Sequence, residues 1–349
     1  MSKTSLGFGI VGVGMIADYH ARAIAEANGA HLVGVAGRSA AKVADFAARH
    51  KIGFSTTDVA ALLARPDVSV VCIATPSGAH LEPALAAVAA GKHLVVEKPV
   101  EITLARVDEL LAAAQHAGVR VAAIFQARFG PGAHTLKQAI AAGRFGRIAL
   151  ASAYVKWYRK PEYYQDSWHG TKQLDGGGAL MNQGIHAVDL LQWFVGLPEQ
   201  VTAWTTRRVH TGIEVEDTAA AALRFRDGAL GVIEASTAHW PGWSRRIEIG
   251  GEFGSATLED DRLAKWDFRN ALPEDEAIRN APVDTRLGGG ATAPNAISHE
   301  GHLRQIQDLV DAIQAGRPLA VDGRDARNAV ALIRAIYDSA ASGRPVALS

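Results

Sequence analysis

The chain has 349 residues, 48% hydrophobic and 21% charged, with 36 basic and 36 acidic side chains, a formal net charge of +0 and one cysteine, Cys72. That balance offers no whole-chain basis for a nucleic-acid or membrane-surface partner. One cysteine excludes an intrachain disulfide or a thiolate metal site, and no stretch is long and apolar enough to span a bilayer.

The length exceeds what one core usually organises, so two domains are expected. The segment LGFGIVGVGMIA, residues 6–17, has the apolar density of a leader peptide. A glycine pattern runs through it, however, and we read it as a buried strand entering a loop. Gly12, Gly14 and Ala17 form G-x-G-x-x-A between that strand and an Ala-rich helical pattern. The first glycine permits a tight turn, the second lets backbone approach a pyrophosphate, and the small third residue lets helix and strand pack closely.

Alternation continues with HLVGVAG as a strand, SAAKVADFAARH as a helix and VSVVCIATP as a strand. LEPALAAVAAGK then reads as a helix, HLVVEKP as a strand, LARVDELLAAAQHAG as a helix and VRVAAIF as a strand. Continuous Val/Ile runs between amphipathic helices indicate a parallel sheet covered on both faces. The expected α/β Rossmann domain, a parallel doubly wound sheet, occupies residues 1–124. After the second strand stands Gly37-Arg38-Ser39, followed by Lys42, with no carboxylate. An acidic residue there binds a ribose 2′-hydroxyl and an arginine accommodates a 2′-phosphate, so NADP is expected in preference to NAD. Arg38 stacked on adenine, with NAD as cofactor, is the alternative.

Glu97-Lys98-Pro99 closes the strand in VVEKPV, and ligands of open α/β sheets bind outside the carboxyl ends of strands. Lys98 beside a cationic nicotinamide would have a lowered pKa and exchange a proton with a reacting hydroxyl. The other reading is a surface lysine paired with Glu97.

From RIALASAYVKWYR onward the pattern becomes long alternating strands, and the second domain, residues 125–349, is expected to be α+β. KWYRKPEYYQDSWHG, residues 156–170, concentrates six aromatic or imidazole rings, flat faces with polar tips that suit a sugar ring or a base as well as core packing. Lys156, Arg159 and Lys160, with Arg128, suit a carboxylate or a diphosphate, or are simply solvated. Gly176, Gly177 and Gly178 precede a helical pattern that ends at Gly196. On it Asn182 and His186 share a face that continues through Asp189 and Trp193. The glycines are expected to bring this helix close to the cofactor; a core histidine with glycines that only ease packing is the alternative. VTAWTTRRV, DTAAAALRF and ALGVIEAST read as strands, the last two joined by a hairpin at Arg226-Asp227-Gly228. Residues 270–295 read as a long loop, and helical patterns around 299–315 and 324–342 as braces for both domains.

The order of G-x-G-x-x-A, EKP and GGGALMNQGIH, with FQARF at 125–129, EVEDTAAAALRFRDGALGVIEAS at 214–236 and the stretch at 316–346, resembles the Gfo/Idh/MocA oxidoreductase family over nearly the whole chain. The resemblance implies a large, mostly antiparallel open sheet whose exposed face joins a homodimer or homotetramer. It implies NAD(P)-dependent oxidation of a pyranose, inositol, sugar nucleotide or related polyol, with Lys98 and His186 as catalytic pair. The sugar is expected near Asn182, Arg128, Lys156, Tyr158, Trp168 and His169. The nucleotide is expected near Gly12, Gly14, Met15, Ile16, Arg38, Ser39, Thr75, Pro76, His80, Glu97 and Lys98. Many members carry Asp where this chain has Asn182, although sugar-nucleotide dehydrogenases of the family show the Asn form; Asn supplies no charge to support an imidazolium. No metal site, nucleic-acid partner or membrane partner is expected, and a reducing cytoplasm is the expected location. Two rivals are a glycosidase that retains its nicotinamide and a non-enzymatic NADP sensor.

Overall fold

Strands β1 (Leu6–Val11), β2 (Ala30–Ala36), β3 (Phe54–Thr56), β4 (Val70–Ile73), β5 (His93–Val96) and β6 (Val121–Ala123) alternate with helices α1 (Met15–Glu26), α2 (Ala40–His50), α3 (Val59–Leu63), α4 (Leu81–Ala89) and α5 (Leu104–Ala117). There follow α6 (Pro131–Ala141), β7 (Ile148–Lys156), α7 (Ile185–Val195), β8 (Gln200–Thr206), β9 (Thr218–Arg224), β10 (Leu230–Ser236), β11 (Arg246–Gly251), β12 (Gly254–Glu259) and β13 (Arg262–Phe268). The chain continues through α8 (Glu274–Arg279), α9 (Glu300–Ala315), α10 (Gly323–Ser342) and β14 (Val346–Ala347). This computed structural model describes residues 5–165, 167–281 and 298–348.

The first sheet is parallel throughout, in the order β3-β2-β1-β4-β5-β6. Strand order reverses between β1 and β4, the switch point at which doubly wound sheets open a crevice. β3 and α3 are absent from the sequence reading because three and five residues carry too little periodicity to be recognised. Thr103 accepts from the Arg106 N–H at the start of α5, and Gly118, at φ +67°, ends it in the left-handed conformation.

The chain divides into two compact units, one of residues up to Gln126 with His299–Arg327, the other of Ala127–Ser298 with the residues from Asn328. α9 therefore belongs with the Rossmann sheet. Its Ile306, Leu309 and Val310 share one core with Ala17, Ala21 and Ile24 of α1. Gln305 accepts from the Phe125 N–H at 3.0 Å and donates to the Ala123 carbonyl, closing the end of β6.

The second unit carries an eight-stranded sheet, β13-β12-β11-β7-β10-β9-β8-β14, antiparallel except for the β7–β10 pair. The expected hairpin joins β9 to β10, with Gly228 at φ +91° in the turn. One face is lined by Ala151, Ala153, Ala203, Ala219, Ala221 and Ala235, all buried. Such small side chains let a helix approach closely, and α7, apolar nearly all round, packs against β7 and β11. The other face exposes Leu150, Trp204 and Leu230. β11 to β13 extend the sheet beyond the strands read from sequence. Within the expected loop of 270–295, residues 274–279 form α8, and residues 282–297 lie outside the described residues. No helix among the described residues is long and apolar enough to cross a membrane.

Asp275 fastens α8. Its carboxylate accepts both Arg144 Nη1 and Nη2 at 2.7 Å, Trp266 Nε1 at 2.7 Å and the Leu272 N–H at 2.7 Å. The Arg144 guanidinium holds it well below the ordinary carboxylate range. A carboxyl depressed on folding contributes stability above its unfolded pKa of about 4, lost as pH falls through the native value. The gap in Tm between the wild type and Asp275→Asn should therefore be wide at neutral pH and close below about pH 3. A gap that does not change with pH would contradict this.

Candidate functional site

The residues singled out in the sequence fall in both units, and each half is built from its own elements. In the Rossmann unit Gly12 ends β1 at φ +108°, and a Cβ there would lie 2.4 Å from the Ala74 carbonyl oxygen, so the turn itself requires glycine. Gly14 differs: it is the N-cap of α1, no side chain caps that end, and a Cβ on it would meet nothing within 4 Å. The protein has no steric use for this glycine. An uncapped helix N-terminus facing open space fits a pyrophosphate. Met15 is exposed and Ile16 half-buried beside it, while Ala17 is buried against the sheet. After β2, Arg38 is exposed and Ser39 caps α2 by accepting from the Lys42 N–H at 3.5 Å.

Past β4, the Thr75 hydroxyl donates to the Ala79 carbonyl at 2.8 Å, and Pro76 leads into the turn at Ser77–Ala79. His80 and Glu97, read from sequence as nucleotide contacts, are turned into the protein instead. The two ring nitrogens of His80 lie 2.9 Å from the Pro99 and Thr75 carbonyl oxygens, tying the ends of β4 and β5 together. Glu97 accepts from His20, His302 and the Lys98 backbone N–H. Burial is the reason: a carboxylate at 5% exposure needs donors, and these are protein groups.

In the second unit the glycines of 176–178 serve a different purpose from the one expected. A Cβ on Gly177 would lie 2.1 Å from the Tyr337 hydroxyl, and one on Gly178 would lie 1.9 Å from the Glu216 carbonyl oxygen. They let backbone pass close to α10 and to the segment before β9, within this unit. Residues 179–184 then form a π-helical turn that runs into α7. Glu216 accepts from the Gly178 N–H at 3.0 Å, the Leu180 N–H at 2.9 Å and the Tyr337 hydroxyl at 2.8 Å. Its own carbonyl accepts from Ala179, and the Tyr337 oxygen accepts from Met181, so the opening N–H groups of the turn are all satisfied.

Asn182 sits in this turn and donates from Nδ2 to Asp175 Oδ1 at 2.6 Å. Only the amide nitrogen can donate to a carboxylate, so Asp175 dictates which way the amide points. Asp175, 1% exposed, also accepts from the Gly170 N–H at 2.7 Å. It supplies beneath Asn182 the negative charge that the Asn for Asp exchange removes. Tyr163 stacks on His169 at 4.3 Å and 6°, with Trp168 beside His169 at 4.0 Å. The Tyr163 hydroxyl accepts from Gln183 Nε2 at 3.0 Å, and Gln183 Oε1 accepts from Arg159 Nη2 at 2.6 Å. Burial pushes the Tyr163 phenol up, the nearby Asp175 adding to the shift, and pushes Tyr164 up to about 12, so both stay neutral donors. Aromatic faces with a hydroxyl, two amides and an imidazole suit a polyhydroxylated ring. His186 follows in α7 at 9% exposure.

Strand parity sorts the basic residues. Lys156 pairs with Glu234 at 2.8 Å on the open face of the sheet, and Tyr158 shares its parity. Arg159, with Trp157, turns inward and stands over the Trp157 ring at 5.1 Å. The buried cation of this segment is thus Arg159, while Lys156 stays on the open face. Arg128 is also reassigned: it grips Asp189 of α7 through Nε at 2.8 Å and Nη2 at 2.6 Å, with its guanidinium 5.3 Å from the Trp193 ring. The face expected to join Asn182, His186, Asp189 and Trp193 is therefore divided between two tasks. Asp175, Tyr163, Gln183 and Glu216 were missed; the acidic residues flanking the glycine run and inside EVED were the available signal.

Comparison with known proteins points the same way. Residues 6–125 match the oxidoreductase family described as having an NAD-binding Rossmann fold, and residues 133–257 match the GFO/IDH/MocA C-terminal domain. The WlbA dehydrogenase of Bordetella pertussis, solved with NADH and UDP-GlcNAcA, is 32% identical, with a TM-score of 0.89 over 100% of this chain and 99% of that one. The inositol 2-dehydrogenase of Rhizobium meliloti is 25% identical over 98% of this chain and 99% of its own. The 1,5-anhydro-D-fructose reductase of Ensifer adhaerens is 30% identical over 64% of this chain and 67% of its own.

Proposed function

The chain belongs to the Gfo/Idh/MocA family and is an NAD(P)-dependent oxidoreductase acting on a sugar-type hydroxyl; from that premise we propose which residues act, which nucleotide they favour and what sugar they take. Lys98, at the carboxyl end of β5, and His186, at the start of α7, are the proton-transfer pair. The nucleotide lies along Gly12, Gly14, Met15, Ile16, Arg38, Ser39, Thr75 and Pro76, and when bound its nicotinamide supplies the two-electron acceptor. Lys98 Nζ takes the hydroxyl proton as the ring carbon is oxidised, with His186 as the second proton-transfer group. Asn182, fixed by Asp175, orients a neighbouring hydroxyl, and Tyr163, Trp168 and His169 provide ring faces. The observation that carries this assignment is the Asp175–Asn182 bond, which gives the helix bearing His186 a fixed polar surface beside stacked aromatic rings.

A pyranose carrying an acidic or nucleotide group is the proposed substrate. Support comes from the likeness to a protein solved with UDP-GlcNAcA and from the inward guanidinium of Arg159. The open sheet face, with Leu150, Trp204 and Leu230 exposed, is proposed to pair copies of the chain into a dimer or tetramer. A reducing compartment, the cytoplasm, suits the buried thiol of Cys72.

The test follows reduced-nicotinamide absorbance with NADP and NAD against free pyranoses, anhydrosugars, inositols, UDP-sugars and sugar acids. Reduction with the acidic or UDP-linked class is expected. Tight nucleotide binding with no reduction on any of them would instead favour the nicotinamide-retaining glycosidase or the sensor. NADP should be preferred through Arg38, so Arg38→Asp should swing the kcat/KM ratio toward NAD by about tenfold or more. An unchanged ratio would leave Arg38 with adenine stacking only.

A further inference from the structure

The strand end that carries Lys98 is held by a group that no step above uses. Glu97 is 5% exposed, and His20 and His302 are at 0% and 1%. His20 Nε2 donates to Glu97 Oε1 at 2.9 Å, and His302 Nε2 donates to the same oxygen at 3.0 Å. The Lys98 backbone N–H donates to Oε2 at 3.1 Å. His20 comes from α1 and His302 from α9, so three segments distant in sequence converge on one carboxylate.

Counting donors fixes the protons. An ionised carboxylate only accepts, so each imidazole carries its hydrogen on Nε2. Among the described residues neither Nδ1 has a hydrogen-bond partner, and both are enclosed. A second proton on either ring would bury an unsatisfied N–H, which is more costly than a bare lone pair. The same argument weighs against a metal ion, although the three ligand atoms lie within 4.8 Å of one another. A metal on Nε2 would move both protons to Nδ1, where a ligating histidine needs an acceptor and these have none. Burial pushes the His20 imidazole down; burial also works against the Glu97 anion, but the His20 and His302 donors overcome it and hold Glu97 well below the usual range. Two other titratable groups face this carboxylate: Cys72 of β4, whose thiol burial pushes up, and His80 ahead of α4, whose imidazole burial pushes down.

We propose that Glu97 is a positioning residue: clasped by His20 and His302, it keeps a permanent negative charge one residue from Lys98 and fixes the backbone from which Lys98 acts. The proposal rests on Lys98 being the proton-transfer group. A fixed anion there favours the ammonium form and sets the pH at which Lys98 becomes a base.

The test uses the full chain with Glu97→Gln, His302→Leu and His302→Gln, reading the pH profile of kcat/KM. Glu97→Gln should move the limb due to Lys98 about one unit toward lower pH. His302→Leu should move it the same way, and His302→Gln, which restores an N–H donor, should return it. Nitrogen-15 NMR of labelled histidine needs no turnover; both imidazoles should hold their proton on Nε2 at neutral pH, and His20 should not titrate across about pH 6–9. Unmoved profiles with a lowered Tm would reduce Glu97 to a structural role. Stoichiometric zinc in the purified protein, or titration of His20 in that range, would overturn the clasp. Absence of turnover in the wild type with every sugar would sink the Lys98 assignment, while the NMR result still decides the clasp.

Discussion

Lys98→Ala is expected to lower kcat by about 10² to 10⁴ while leaving nucleotide affinity largely intact. The lysine side chain is the proposed acceptor of the hydroxyl proton, and on that proposal removing it takes away an interaction made at the reacting atom. The dinucleotide-binding turn, by contrast, is built from Gly12, Gly14 and the uncapped start of α1, none of which depends on Lys98. His186→Ala should give a loss of the same order, as the other member of the proposed proton-transfer pair. Stopped-flow turnover paired with nucleotide titration by intrinsic fluorescence separates the two effects. Asp175→Asn is an informative companion: it removes the charge and turns one of the two acceptor oxygens into a donor, so an effect of about tenfold or more on kcat would show that the carboxylate anchoring Asn182 matters. Both alanine variants turning over at the wild-type rate would end the assignment.

Asp189→Asn should be among the most destabilising single changes in the second unit, by about 3–5 kcal/mol, a fall in Tm of roughly 10 °C. Asp189 is fully buried and Arg128 nearly so, and the pair is bidentate. Lys137 feels the Arg128 charge, and Arg245 feels that of Asp189. Losing the anion leaves cations facing one another in a dry setting. Arg128→Met should cost less than Asp189→Asn, since it leaves one anion among remaining cations. The double change Arg128→Met with Asp189→Leu should recover much of the loss, because a buried pair often contributes little beyond what apolar packing supplies. Thermal unfolding of the three variants decides this. If Arg128→Met instead raised KM with Tm unchanged, Arg128 would be a substrate ligand after all.

That contrast shows where sequence reasoning stops. Arg128, Lys156 and Arg159 look alike in sequence, each a cation near aromatic residues. Strand parity alone separates Lys156 from Arg159, and it applies only once β7 is known to carry one buried face and one open face. Arg128 is settled by a partner 61 residues away. The glycine run was correctly marked as a close approach, but the surfaces it approaches, Glu216 and Tyr337, are named only by the fold. A short strand such as β3 was invisible because three residues have no period to detect.

The family resemblance implied the mostly antiparallel second sheet; what the sequence by itself determined is the parallel Rossmann sheet, the glycine turn between β1 and α1 and the β9–β10 hairpin. Each follows from local rules: hydrophobic period, glycine at positive φ and turn chemistry act over a few residues and so are written along the chain. Only the tertiary structure decided that Glu97 and His80 face inward, that Asp175 orients Asn182 and that α9 returns to the first unit with His302. Those outcomes depend on which buried polar groups find partners across as many as 205 residues of chain. An unpaired buried carboxylate is costly wherever it lies, but the identity of its donors is a property of packing, and no local pattern carries it.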